Sequence, residues 1–268
     1  MNIIPDIWQG MSVRHPLVYH LTNNVASNFS ANVSLAIGAS PIMSLYPGEA
    51  AELASKADGL VVNIGTPSGR TVAAMRKAIP AAIARNAATI LDPVGYGVSA
   101  FRTETVNSFL RDYRFSVIKG NGAEISMLAG KEAFQRGVDA VASTDLAASV
   151  SGLAGKYSSI IVATGAADIV SDGRVTVEVR GGHPFLTRIT ASGCIVGSVI
   201  CACCAASGNH LWGTLAALVA VDIASERAAS VSAGTGSFQM NFLDMLSVLS
   251  AADLVESDKR IRKLEVYR

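Results

Sequence analysis

Charge is scarce in this chain. Only 16% of its 268 residues are Asp, Glu, Lys or Arg, and the formal net charge is +1. The basic residues are scattered, so nothing marks a surface for nucleic acid or for an anionic membrane. Long apolar runs are missing as well. Those at 195–206 and 214–224 are broken by glycine, serine or Asp222 before they reach the roughly 18 residues that a membrane span requires. The start, MNIIPDIWQGM, has no basic region leading into an apolar core and a small-residue cleavage site, so the expected location is the cytoplasm. Cysteine is confined to Cys194, Cys201, Cys203 and Cys204, a spacing that suits neither a zinc site nor a disulfide framework. Three of the four are expected to be small core residues. Neither GxxxxGK[ST] nor GxGxxG followed by an acid occurs.

Half the residues are hydrophobic. At 268 residues this suits one large α/β domain over the whole chain, residues 1–268, and so little charge predicts that part of the surface is covered in an oligomer. Short β-branched runs (PLVYHL, PIMSL, GLVVNI, ATILD, FSVIKG, SIIVATG) alternate with Ala-rich stretches such as GEAAELASKA and GRTVAAMRKAIPAAIARN. Alternation of this kind predicts a mostly parallel sheet flanked by helices on both faces. VTVEV, with DIVSDG before it, predicts an edge hairpin, and the polar ESDKRIRK near the end predicts a frayed or capped tail.

The ends of the apolar runs carry the chemistry. HLTNN, NIGTP, LDPVGYG, IKGNGAEI and VATGAAD place Gly, Asn, Thr, Asp or Lys where buried strands should stop. Each also fits an ordinary turn, but ligands of open α/β sheets bind beyond the strands' carboxyl ends, so five polar tips on one edge predict a site. The turn Ala191-Ser192-Gly193-Cys194 precedes a run of small apolar residues and predicts a helix start whose free amides suit an anion; a simple cap is the alternative. At that helix end the Cys194 thiol pKa is expected to be lowered. A Cys–His enzyme would need a partner, and His15, His20, His183 and His210 fall in no recognisable pattern. His20 suits a strand-end packing or hydrogen-bonding role.

Asp92 and Glu124 are carboxylates that Mg²⁺ could use together with phosphate oxygens. Asp before Pro and Glu early in a helix are equally good structural caps. Lys119 offers a mobile cation for a nucleotide phosphate, and Thr164-Gly165 a hydroxyl and close backbone approach. The set points to phosphoryl transfer, where catalysis is positioning and charge neutralisation.

HLTNNVASNFSANVSLAIGASPIM, LVVNIGTP, LDPVGYG, IKGNGAEI, VATGAAD, the SGC turn and GTGSF occur in the order found in hydroxyethylthiazole kinases. From about residue 15 to about 250 the chain resembles that ribokinase-like family of thiamine synthesis and salvage. The resemblance implies transfer of the γ-phosphate of ATP to the hydroxyl of 4-methyl-5-(2-hydroxyethyl)thiazole with Mg²⁺, in a homotrimer with active sites between subunits. By motif, Met43 would contact the thiazole, and the Asn23-Asn24 tip, Asn63–Gly65 and Ala191 would line the same pocket; plain core is the alternative for Met43. Lys119 and Thr164 would meet ATP, Ser192 and Gly193 its phosphates, and Asp92 and Glu124 the metal. Cys194 falls where the superfamily keeps the aspartate that takes the alcohol's proton, with thiolate and hydrogen-bonding roles both open. The chain departs from the family at Ala191 and Ser192, usually Gly-Thr, and at Lys119, usually Arg. Alanine places a methyl where the backbone could need positive φ, and lysine lacks the planar fork. Other readings are a kinase for a different alcohol, a nucleotide-dependent dehydratase, or a thiazole- or nucleotide-binding protein without activity.

Overall fold

In the computed structural model, residues 3–131 and 143–266 are described. Six parallel strands form most of the sheet: β1 (Leu17–Leu21), β2 (Ser40–Met43), β3 (Gly59–Asn63), β4 (Ala88–Asp92), β5 (Val117–Asn121) and β6 (Ile160–Thr164). Three antiparallel strands continue it: β7 (Ala167–Ser171), β8 (Thr176–Arg180) and β9 (Ile261–Leu264). The order among the described residues is β2-β1-β3-β4-β5-β6-β7-β8-β9. All six predicted runs are strands, and every residue of β3 and β4 is buried. Such strands read as unbroken apolar runs because helices cover both faces.

Side chains alternate across the sheet into two cores. Val18, Val61, Ile90, Val117 and Val162 pack with α1 (Ile3–Arg14), α2 (Ser27–Ala36), α8 (Ser192–Ser207), α9 (His210–Ser230) and α10 (Thr235–Val248). Tyr19, Leu60, Leu91, Ile118 and Ile161 pack with α3 (Ala50–Lys56), α4 (Gly69–Ala84), α5 (Ala100–Asp112), α6 (Gly122–Leu128) and α7 (Ser143–Tyr157).

The α8 helix is buried on all sides from Ile195 to Cys204, and the expectation for Cys201, Cys203 and Cys204 holds: all three are core. Small residues let it lie close to its neighbours. A Cβ at Gly59 would collide with the Cys201 sulfur, and one at Gly213 of α9 would lie 2.9 Å from the Cys204 backbone. This contact fixes the height of α8 on the sheet and brings its amino end to the strands' carboxyl edge.

The carboxyl-terminal expectation fails. ESDKRIRK is not a frayed tail, because a 3₁₀ turn at Ser257–Arg260 leads into β9, which pairs with β8. The β7–β8 hairpin forms as expected but does not end the sheet. Ile261 packs into one core and Leu264 into the other, while Arg260 makes two 2.8 Å bonds to the Glu226 carboxylate. Two apolar residues and one bidentate pair hold a strand that its charged neighbours disguise.

His20 is buried beneath the site, its Nδ1 3.1 Å from the Val18 carbonyl and its Nε2 3.1 Å from Ser198 Oγ. Burial lowers its pKa to about 4. Between the ordinary value near 6.5 and about 4, the unfolded chain takes up a proton that the folded chain refuses, so stability falls with acidification. Denaturant titrations should show a loss approaching about 3 kcal/mol from pH 7 to pH 4 for this group. His20→Gln should remove that component; an identical acid slope in the variant would show that the ring does not cause it.

Candidate active site

The five polar tips do meet on one edge, because β1, β3, β4, β5 and β6 are parallel and end together. Their side chains form a nearly closed circuit. Asn23, anchored by its Oδ1 on the Val25 and Ala26 amides, donates through Nδ2 to Asn63 Oδ1 at 2.8 Å. The same Nδ2 lies 3.6 Å from Cys194 Sγ. Asn63 Nδ2 donates to Asp92 Oδ2 at 2.8 Å, and Lys119 Nζ stands 3.6 Å from that oxygen. Lys119 Nζ then donates to the Gly193 carbonyl at 2.9 Å, and Gly193 is bonded to Cys194. Gly65 admits the crossing: a Cβ there would collide with the Asn23 amide.

Asn23, Asn63, Asp92 and Lys119 are buried. Burial, with the charge of Glu124, pushes Asp92 up to about 7 against the pull of Lys119 and Asn63. For Lys119 burial acts downward, but the negative groups around it, Asp92 and Glu124 foremost, outweigh it and raise the pKa. Lys119 is therefore a held cation. The expected mobile arm is corrected: its ammonium is fixed between a carboxylate and a carbonyl. The expected lowering at Cys194 is also corrected, since burial and Asp92 raise the thiol and outweigh the pull of Lys119, Asn63 and Asn23. Cys194 is a neutral thiol.

Asp92 Oδ1 is buried and has no hydrogen-bond partner among the described residues. An orphaned carboxylate oxygen is costly unless a cation or a donor meets it, so this atom fits Mg²⁺. Glu124 fits less freely. Its Oε1 accepts from the Gly95 amide and its Oε2 from the Asn121 amide, both at 2.8 Å, which makes it a cap as well as a candidate ligand.

The α8 amino end matches the predicted turn. No side chain caps it among the described residues, so the amides of Ser192, Gly193 and Cys194 face the edge as an anion cradle. Ala191 has φ 65° and ψ 4°, the left-handed conformation anticipated for this departure. Thr164 Oγ1 lies 3.3 Å from the Gly120 carbonyl, beside the circuit. Met43 is half-buried and pairs in register with His20 at the end of β2, one strand from Asn23. Asn24 is exposed, and its backbone amide rather than its side chain is engaged, by Thr66 Oγ1 at 3.4 Å; the structure does not bring it into the circuit.

Two residues escaped the sequence reading. Asp168 on β7 accepts from the Gly165 amide at 3.0 Å and holds the Thr164 tip; burial raises its pKa to about 6. Arg102 on α5 bonds three carbonyls of the β3 and β4 tips. Both act on backbone groups; Asp168 ends the VATGAAD stretch, but the sequence reading does not single it out there. An open cavity of about 600 Å³ lies at the opposite edge, lined by Arg114, Ser158, Arg174 and His210, away from all these groups.

The sequence profile of the hydroxyethylthiazole kinase family matches residues 9–252. The chain belongs to that family. It is 42% identical over 251 residues to a hydroxyethylthiazole kinase of Thermoanaerobacter sp. strain X514, covering 92% of this chain and 95% of that one. The solved hydroxyethylthiazole kinase of Pyrococcus horikoshii OT3 superposes with a TM-score of 0.89 at 33% identity, covering 99% of this chain and all of that one. A ribokinase-like protein of Enterococcus faecalis superposes at 0.63 with 12% identity over 87% of this chain and 88% of that one, which confirms the ribokinase-like fold. The family is one of ATP-using kinases with an alcohol acceptor. No helix among the described residues is long and apolar enough to cross a membrane.

A non-glycine residue in the left-handed region costs about 1 kcal/mol. Ala191→Gly should therefore raise the unfolding free energy by roughly that amount, less the added freedom of the unfolded chain. Equal or lower stability on denaturant titration would show that Ala191 bears no such strain.

Proposed function

We propose that this chain transfers the γ-phosphate of ATP to the hydroxyl of 4-methyl-5-(2-hydroxyethyl)thiazole, yielding the thiazole phosphate used in thiamine synthesis and salvage. The observation that carries this reading is the circuit Cys194–Asn23–Asn63–Asp92–Lys119–Gly193, which sets an orphaned carboxylate oxygen beside an uncapped helix end. Met43, Asn23, Gly65 and Ala191 border the alcohol's position, with the thioether of Met43 suited to a flat heteroaromatic ring. Thr164, Lys119, Ser192 and Gly193 border the nucleotide.

Asp92, with Glu124, would hold Mg²⁺. The ion, when bound, neutralises charge on the phosphate oxygens. The amides of Ser192, Gly193 and Cys194 receive the phosphoryl group as it leaves ADP, aligned with the α8 dipole. Lys119 keeps the cradle at a fixed distance from Asp92 by holding the Gly193 carbonyl. The neutral Cys194 thiol orients the alcohol oxygen, and the Asn23 amide holds the sulfur in place. In a loose transition state the oxygen needs alignment more than early deprotonation, so a thiol that only hydrogen-bonds suffices, and the alcohol's proton leaves late, onto the transferred phosphoryl oxygens and then to solvent.

The whole chain acts as one domain in a homotrimer with sites between subunits. Exposed Val25, Leu35, Tyr46 and Met240 support this, lying on and around α2, α10 and the end of edge strand β2 that carries Met43.

ADP release with a panel of alcohols under Mg²⁺ and ATP should respond to the thiazole alcohol; release with another alcohol alone would overturn this substrate. Asp92→Asn should lower kcat by about 100-fold or more while the protein stays folded. Wild-type turnover would remove Asp92 from the site. Cys194→Ser should slow phosphorylation with little change in the KM for ATP, whereas unchanged kinetics would reduce the thiol to packing.

A further inference from the structure

The guanidinium of Arg102 meets main chain. Its Nη1 donates to the Ile64 and Val94 carbonyls, both at 2.7 Å, and its Nη2 to the Gly65 carbonyl at 2.6 Å. These oxygens belong to the loops that leave β3 and β4 and converge because the ladder between the strands has ended. The last rung, from the Ile64 amide to the Asp92 carbonyl at 3.2 Å, is followed by Pro93, which has no amide to offer. Beyond it the Gly65 and Gly95 amides turn to Asn63 Oδ1 and Glu124, which leaves the Ile64, Gly65 and Val94 carbonyls to another donor. Three carbonyl dipoles aimed at one place repel unless a cation with several N–H groups fills it, and the planar fork of arginine does so from a single side chain.

Functional side chains sit on both sides of this junction. Asn63 immediately precedes the clamped Ile64 carbonyl and Asp92, bonded to Asn63, stands two residues before the clamped Val94 carbonyl; the Asn63 Oδ1 also accepts from the Gly65 amide at 2.9 Å. On the β4 side, Val94 leads to Gly95, whose amide bonds Glu124. Gly95 adopts φ +70° against the arginine, and a Cβ there would lie 3.3 Å from Nη1. The clamp thus sets where Asp92 stands relative to Glu124 on one side and to Asn63, Asn23 and Cys194 on the other.

We propose that Arg102 is a positioning residue for phosphoryl transfer, its guanidinium holding the β3 and β4 loops together so that Asp92 keeps its spacing from Glu124 and from the Asn23–Cys194 pair. This rests on the kinase reading above. A displacement of about 1 Å at such groups costs up to 100-fold in rate.

Wild type, R102K and R102A are compared by steady-state kinetics, thermal melting and addition of methylguanidinium. Folded R102A should lose roughly 100-fold in kcat with the KM for ATP little changed, because Thr164 and the α8 amides lie on other elements. R102K, which keeps the charge but not the fork, should lose roughly tenfold. Millimolar methylguanidinium should restore part of the R102A rate and leave wild type unaffected, a response that loss of packing alone would not give. Wild-type kcat in either variant overturns the proposal, as does a folded R102A that methylguanidinium cannot improve. Should R102A fail to fold, R102K decides: a rate loss with wild-type melting supports the proposal, and a loss no larger than its unfolded fraction overturns it. A wild-type chain that phosphorylates no thiazole alcohol overturns both readings, whereas an active wild type with indifferent variants overturns only this one.

Discussion

Asp92 and Lys119 are buried together at the carboxyl edge of the sheet, and neither could be buried charged without the other. Removing a carboxylate or an ammonium from water costs several kcal/mol, and the 3.6 Å between Lys119 Nζ and Asp92 Oδ2 recovers only part of it. Asn63 on the carboxylate and the Gly193 carbonyl on the ammonium recover more of it but not all, since burial still leaves Asp92 raised to about 7. The pair therefore couples β4 to β5, and β5 to the first turn of α8. It also leaves one carboxylate oxygen without a hydrogen-bond partner among the described residues.

This constraint explains how the departures from the family pattern fit together. Lysine at 119 cannot grip a phosphate with a fork, but its single ammonium is well placed between a carboxylate and one carbonyl. Ala191 adopts the backbone that glycine would adopt, at the cost of local strain, and the amides that follow keep their direction. Cys194, buried and beside Asp92, has its thiol pKa raised against the opposing pull of Lys119, Asn63 and Asn23.

Much of the architecture was legible in the sequence, for physical reasons. Parallel strands covered on both faces must be continuously apolar, so GLVVNI and ATILD announced themselves, and their polar ends marked the edge where Asn23, Asp92, Lys119 and Cys194 meet. What stayed hidden depends on distances between distant residues. The direction of the Cys194 shift depends on how deeply the helix end is buried, which spacing along the chain does not record. Lys119 reads as mobile until Asp92 and Gly193 are seen beside it. Asn24 looked equivalent to Asn23 because adjacent residues share a motif even where only one turns inward. β9 was masked by the charges between Ile261 and Leu264, and Arg102 and Asp168 act on backbone groups that every sequence possesses.

The tight seating of α8 on the sheet has one more implication. Glycine at 59 and 213 lets the Cys201–Cys204 part of the helix lie against the start of β3 and against α9, so this half of α8 tolerates scarcely a methyl group more. A larger residue at either position would have to push α8 off its neighbours, and the Ala191–Cys194 turn at the other end of the helix would move with it. The amino end of the helix is thus registered by packing at its far end, and a mutation remote from the pocket can shift the groups at its mouth.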